Sequence, residues 1–307
     1  MRHPLNRCMQ AAGLLAAAAL LTTAATAQTA SEGLSPTLAN IKKTHVVRLG
    51  YRESSPPFSF LDHSNRPIGY SLELCEAIVD EIGVEVDDAN LKIEHVKVTS
   101  DDRIPAVVQD KIDLECGSTT ANAERAKQVA FSPLMFVAGT KLMVPKASTI
   151  SAPKDLQGKT VVVTKGTTNE QAMHAVDKKF ALSMNIVASP DHEQSYQMLV
   201  DGKADAFATD DILLYGLIAR HKTQDKFKVS GEYLSYDPYG IMFRKGEPQL
   251  TAVVERAFRK LGSNRDLIPL YNKWFVSRLP TGEKLSVSIS PQLEEAFKVL
   301  DDTQGAN

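Results

Sequence analysis

From residue 40 onward, short β-branched runs alternate with stretches whose apolar residues recur every three or four positions. Val46-Val47-Arg48-Leu49-Gly50 reads as a strand, and Leu72, Cys75, Ile78, Val79 and Ile82 mark a helix opening at Gly69-Tyr70. Lys92–Val98 is a predicted strand, Asp101–Gln109 a helix with Ser100 as its cap, and Ile112–Cys116 a further strand. A second series repeats the arrangement. Lys159–Thr164 is a strand that ends in Lys165-Gly166-Thr167-Thr168 before a helix over about Asn169–Phe180; Asn185–Val187 is a strand, and Ser189-Pro190-Asp191 opens the next helix. Ala204–Thr209 is a strand and Asp210 caps a helix over Ile212–His221. Such alternation predicts an α/β protein with mostly parallel sheets and helices on their faces.

Val137–Pro145 and Ser235–Phe243 are extended without helical periodicity, and they divide the two series. The expected architecture is therefore two lobes joined by two hinge crossings. Residues 41–139 and 238–280 form lobe 1, and residues 140–237 form lobe 2. Residues 281–307 either pack on lobe 1 or lack order in part, with a helical pattern at Leu293–Leu300 that connects to no function. Open α/β sheets bind ligands at the carboxyl ends of their strands. The segments richest in chemistry fall there.

The first residues read differently. Arg2 and Arg7 precede an apolar run from Ala11 to Leu21, and Ala25-Thr26-Ala27 offers small residues for cleavage before Gln28, the pattern of a secretory signal over residues 1–27. The run is too short to span a bilayer, and Cys8 lies ahead of it, where it cannot carry a lipoprotein's lipid. Residues 28–40 are rich in Thr, Ser, Gly and Pro and are expected to lack order. Removing the signal takes two arginines and moves the formal net charge from −2 to −4. A mildly acidic chain offers no electrostatic basis for binding nucleic acid or an anionic membrane. Two cysteines remain, Cys75 and Cys116; an even pair in an oxidising compartment favours a disulfide over two separate buried thiols.

Three arginines stand beside hydroxyl residues at element boundaries: Arg52 before Ser54-Ser55, Arg103 after Thr99-Ser100, and Arg125 after Ser118-Thr119-Thr120. The guanidinium fork matches a carboxylate, so convergence of the three would make a receptor for a small molecule with more than one anionic group. No Gly-x-Ser-x-Gly elbow, His-Glu-x-x-His, P-loop or Gly-x-Gly-x-x-Gly is present, and the seven histidines begin no metal-ligand spacing. Neither a cofactor nor a metal is expected.

Five motifs in order carry a resemblance. They are Tyr51-Arg52-Glu53-Ser54-Ser55-Pro56-Pro57-Phe58-Ser59-Phe60, Gly69-Tyr70-Ser71-Leu72-Glu73-Leu74, Leu114-Glu115-Cys116-Gly117-Ser118-Thr119-Thr120, Val162-Val163-Thr164-Lys165-Gly166-Thr167-Thr168 and Ala208-Thr209-Asp210-Asp211. Over about residues 40–280 the chain resembles the periplasmic substrate-binding proteins of polar amino-acid ABC transporters, and most closely their glutamate/aspartate-binding branch. The resemblance implies a two-lobed (type II-like) periplasmic receptor, monomeric, that delivers an acidic amino acid to a membrane permease.

It also implies roles. Arg125 would pair with the ligand α-carboxylate, with Thr120 and Thr168 adding donors. Asp210 would accept from the ligand ammonium beside Ser118, with Asp211 as a partner of the helix dipole. Arg52, Ser100 and Arg103 would hold the side-chain carboxylate, and His192 would lie near the ligand. Each has a plainer alternative: a helix cap for Ser100, Thr168 and Asp210, a surface charge for Arg103 and Arg125, an exposed helix-start histidine for His192. Counting Arg52, Arg103 and Arg125 against Asp210 gives the site a charge of +2, which glutamate or aspartate would match and a neutral ligand would not. Ser71 departs from the family's usual acidic residue, Lys165 adds a positive charge near the site, and Phe58 is either a ligand contact or a core aromatic. The alternatives are a receptor for a neutral polar amino acid or another small dicarboxylate, or a dehydratase-like enzyme on the same scaffold.

Overall fold

The structure, a computed structural model, describes residues 33–302. The signal segment, residues 28–32 and residues 303–307 lie outside that range. In chain order the strands are β1 (Val46–Tyr51), β2 (Ser54–Ser55), β3 (Ser59–Leu61), β4 (Pro67–Ile68), β5 (Lys92–Lys97), β6 (Leu114–Glu115), β7 (Val129–Phe131), β8 (Phe136–Ala138), β9 (Thr140–Pro145), β10 (Thr160–Thr164), β11 (Asn185–Ser189), β12 (Ala206–Asp210), β13 (Phe227–Ser230), β14 (Asp237–Tyr239) and β15 (Met242–Arg244). The helices are α1 (Pro36–Thr44), α2 (Tyr70–Val86), α3 (Arg103–Val108), α4 (Thr168–Phe180), α5 (His192–Val200), α6 (Asp211–Arg220), α7 (Pro248–Ser263), α8 (Leu267–Tyr271) and α9 (Pro291–Asp302).

Two five-stranded sheets organise the two lobes. The first has the order β5-β1-β6-β15-β7, with β1 parallel to β5 and β6 and with β15 antiparallel to β6 and β7. The second has the order β11-β10-β12-β9-β13, with β10 parallel to β11 and β12 and with β9 antiparallel to β12 and β13. Between them, β8 and β14 pair as an antiparallel ribbon, Asp237 opposite Ala138. Both crossings therefore run side by side.

Alternation explains how the second sheet supports a helical layer on each face. Val161 and Val163 of β10, with Ala206 and Ala208 of β12, join a cluster with Met173 and Val176 of α4. Val162 and Phe207, pointing the opposite way, join Tyr196 and Leu199 of α5 and Leu214 and Leu217 of α6. Successive side chains of a strand face opposite sides, so a run buried on both faces reads as uninterrupted apolar sequence.

In lobe 1 the buried Leu250, Val253, Val254, Ala257 and Phe258 of α7 recur at helical spacing and share one core with α2. Cys75 of α2 and Cys116 beyond β6 form a disulfide with a Cα–Cα distance of 6.2 Å, closing a sequence separation of 41. In the chain-entropy picture such a loop stabilises the fold by about 4 kcal/mol. Phe58 is fully buried against Tyr70, Phe136, Tyr239 and Phe275, which makes it a core aromatic.

Two expectations change. Helix α1 begins at Pro36, inside the segment expected to lack order, because Leu38 and Ile41 are fully buried in the lobe 1 core and Thr37 bonds Glu247. Helix α3 begins at Arg103, not Asp101, and Ser100 does not cap it. Thr99 and Asp102 instead exchange reciprocal bonds, Thr99 N–H to Asp102 Oδ1 at 2.6 Å and Asp102 N–H to Thr99 Oγ1 at 3.2 Å. Of the two alternatives for the last segment, packing is what α9 shows: it lies on α7, with Leu293 and Phe297 buried in the same core as α2 and α7.

Candidate functional site

The carboxyl ends of the parallel strands of both sheets face one another, and every candidate residue lies at the end of such a strand or in the turn or helix that follows it. Arg52 follows β1, Ser100 and Arg103 follow β5, and Ser118, Thr120 and Arg125 follow β6. From the other lobe, Thr168 opens α4 after β10, His192 opens α5 after β11, and Asp210 ends β12. All nine are buried except Thr168, which is half-buried. The surface and exposed-histidine alternatives for Arg103, Arg125 and His192 are thereby removed.

The cleft is shut by direct contact between lobes. Lys165 Nζ lies 2.9 Å from Asp101 Oδ2, so its charge is spent on an exposed pair across the lobes instead of inside the site. Gly166, at φ +75°, backs onto Asp101, where a Cβ would come within 2.7 Å of the Asp101 Cα. On the other side, Gly216 of α6 faces Pro56, and a Cβ there would sit 2.2 Å from the Pro56 carbonyl oxygen. Arg220 Nη1 donates to the Leu61 carbonyl at 3.2 Å.

One end of the cleft is rich in donors. Both Nη atoms of Arg52, the Nε of Arg103 and the Oγ of Ser100 are buried and make no hydrogen bond among the described residues. Burial, followed by the neighbouring Arg103 charge, lowers Arg52 to about 10. Burial lowers Arg103 as well. His192 Nδ1 lies 2.7 Å from Thr164 Oγ1, and burial with the Arg52 and Arg103 charges holds the imidazole well below its usual range, hence neutral. Leaving such donors unpaired costs roughly 1–3 kcal/mol each, and more for charged ones.

Arg125 occupies the middle, on a 3-10 turn (Arg125–Lys127) instead of an α-helix. Its Nη1 donates to the Thr120 carbonyl at 2.9 Å and its Nη2 to the Gly166 carbonyl at 3.3 Å, spanning both lobes. Burial and then Arg103 lower it to about 9.

The other end is rich in acceptors that already hold partners. Asp210 stands at the N-cap position of α6 but makes no cap bond. Its Oδ1 accepts from Asn169 Nδ2 at 2.8 Å, and its Oδ2 accepts from the Tyr239 hydroxyl. Burial, and after it the charge of Asp237, raises Asp210 to about 7. Thr168 is not the α4 cap either; Thr167 is, accepting from Glu170 N–H. Thr168 Oγ1 donates to Asp237 Oδ1 at 2.8 Å, Thr120 Oγ1 reaches the same oxygen at 3.1 Å, and the two hydroxyls are 3.2 Å apart.

Sequence reasoning missed Asp237, Glu115 and Asn169. Glu115 is fully buried, accepts from Thr119 Oγ1 at 2.6 Å, and supports the charge of all three arginines. Asp237-Pro238 looks like a turn, and Glu115 reads as a strand residue, so neither carried a signal. Their presence corrects the charge of +2: three arginines now face three carboxylates, and the sum is zero with all ionised. A preference for anions must come from where the unpaired donors sit, not from net charge. Ser71 likewise finds a structural role, donating to the Gly117 carbonyl at 2.7 Å.

The family model for bacterial extracellular solute-binding proteins, family 3, matches residues 47–277. The chain belongs to this family. As a family 3 protein it is 38% identical over 289 residues to the L-glutamate/L-aspartate-binding protein of Pseudomonas aeruginosa, covering 94% of this chain and 96% of that protein. It is 34% identical over 279 residues to the glutamate/aspartate import solute-binding protein of Escherichia coli, covering 91% and 92%. Among solved structures it resembles a mutant of ArgBP from T. maritima, with a TM-score of 0.70, 28% identity, and coverage of 78% of this chain and 100% of that one. The two-lobed solute-binding fold of the family is that of this chain. No helix among the described residues is long and apolar enough to cross a membrane.

Proposed function

We propose that this chain is a periplasmic receptor that closes around L-glutamate or L-aspartate and presents it to the permease of an ABC transporter. The observation that carries the ligand assignment is the cluster of unpaired buried donors at Arg52, Arg103 and Ser100. A second carboxylate is the ligand group that satisfies them, because guanidinium and hydroxyl donors together match its lone pairs. Arg125 takes the α-carboxylate, Asp210 with Ser118 takes the ammonium, and neutral His192 lies beside the arginine end. Thr120 and Thr168 line the middle from opposite lobes. The names of the P. aeruginosa and E. coli relatives support the same ligand class.

Because the ligand groups engage both lobes, binding favours the closed arrangement over the open one, as a ligand-driven hinge requires. The carboxylate best placed for acid–base chemistry, Asp210, is committed to an ammonium in this reading, which supports a receptor over a dehydratase-like enzyme. Calorimetric titration of the refolded, ligand-stripped protein with L-glutamate, L-aspartate, L-glutamine, L-asparagine and succinate tests it. Tight binding of the two acidic amino acids alone is expected. Preference for the amides would overturn the Arg52/Arg103 assignment, and turnover of any compound would reopen the enzyme reading.

A further inference from the structure

Asp237 is 2% exposed, sits on the hinge ribbon, and accepts from hydroxyls on both lobes: Thr120 at 3.1 Å and Thr168 at 2.8 Å, both to Oδ1. Its Oδ2 accepts from Ser235 Oγ. A carboxylate has lone pairs and no proton to give, whereas a hydroxyl has one proton and two lone pairs. Three contacts join Asp237, Thr120 and Thr168, and only two protons are available among them. If both are directed at the carboxylate, each threonine keeps only lone pairs to show the cleft.

We infer that Asp237 is a specificity-determining positioning residue. By holding the Thr120 and Thr168 protons, it turns both hydroxyls into acceptors for the ligand's α-ammonium. This rests on the reading of the ligand as an amino acid and changes one part of it. The two threonines then serve the ammonium, and the α-carboxylate is left to Arg125. Asp210 forms the opposite side of the same acceptor wall, with both of its oxygens already fixed by Asn169 and Tyr239. The arrangement exists only when the lobes meet, since Thr120 and Thr168 belong to different lobes. It therefore selects for an ammonium at closure, where a dicarboxylate without one meets lone pairs and two anions.

The test is calorimetric titration of wild type, Asp237→Asn and Thr168→Val with L-glutamate and with glutarate, the same carbon chain without the ammonium, and of wild type with L-aspartate. Asp237→Asn keeps the shape and removes the charge. It should weaken glutamate roughly tenfold to a hundredfold while glutarate binding holds or tightens. Thr168→Val should act in the same direction and carries the test if Asp237→Asn does not fold. Equal losses for both ligands would reduce Asp237 to a structural role and overturn the inference. So would unchanged or tighter glutamate binding, the result expected if the threonine protons serve the α-carboxylate. Wild type that binds glutarate as tightly as glutamate overturns the acceptor wall as a whole. Wild type that binds neither glutamate nor aspartate overturns the proposed function itself.

Discussion

At one end of the cleft, Asp210 and Asp237 hold five hydrogen bonds from Asn169, Tyr239, Thr120, Thr168 and Ser235. At the other, four buried donor atoms of Arg52, Arg103 and Ser100 hold none among the described residues. The acceptor end is finished by the protein itself once the lobes meet, its carboxylates oriented by side chains of both lobes. The donor end is completed only by a ligand. An oriented but protein-satisfied end sets which group may enter, while an unsatisfied end supplies the larger gain on binding, since it relieves a desolvation cost already incurred.

Removing the link between the two ends should have the largest effect. Arg125→Ala takes away the α-carboxylate partner shared by every amino acid, so calorimetry should show a loss of about 4 kcal/mol, roughly a thousandfold, for all ligands that bind. At the donor end, Arg103→Ala should cost about 3 kcal/mol for glutamate and aspartate and little for glutamine. A uniform loss across the panel would erase the distinction between the ends.

The acceptor end should show itself through pH. Asp210 is raised to about 7 by burial and by Asp237. An ammonium beside it favours the ionised form, so glutamate affinity should be full above about pH 7 and fall by up to tenfold per unit below it. Without ligand the sign reverses. A carboxyl raised from 3.8 contributes most to stability when protonated, and that contribution shrinks as pH rises toward 7. Comparing melting curves with and without glutamate across this window checks both signs, and Asp210→Asn should flatten both slopes. The smallest effect belongs to the latch. Lys165→Ala removes an exposed pair and should weaken binding by no more than about fivefold, with wild type losing the same advantage in high salt.

Much of this was legible in the order of residues. The strands and helices of both series followed from period and punctuation: Val161-Val162-Val163 lies inside the strand read over Lys159–Thr164, and Leu72, Cys75, Ile78, Val79 and Ile82 marked α2 by their helical spacing. The start of α1 was not legible, because its Ser-Pro-Thr composition says turn while the burial of Leu38 and Ile41 decides for helix. Ser100 was misplaced for a similar reason: Thr99 and Ser100 are equally good caps locally, and only the observed bond between Thr99 and Asp102 frees Ser100 for the cleft.

The sequence alone determined that two α/β lobes form, that arginines and hydroxyls gather at strand ends, and which family motifs they make. Those are consequences of periodicity and of residue chemistry at fixed offsets, and both are local. Only the tertiary structure decided the charge balance of the cleft and the partners of its hydroxyls. Glu115 enters from inside a strand and Asp237 from a hinge more than a hundred residues beyond Thr120. Electrostatics and hydrogen bonding act over a few ångströms of space, whatever the distance along the chain, so these groups became visible only once the two lobes were brought together.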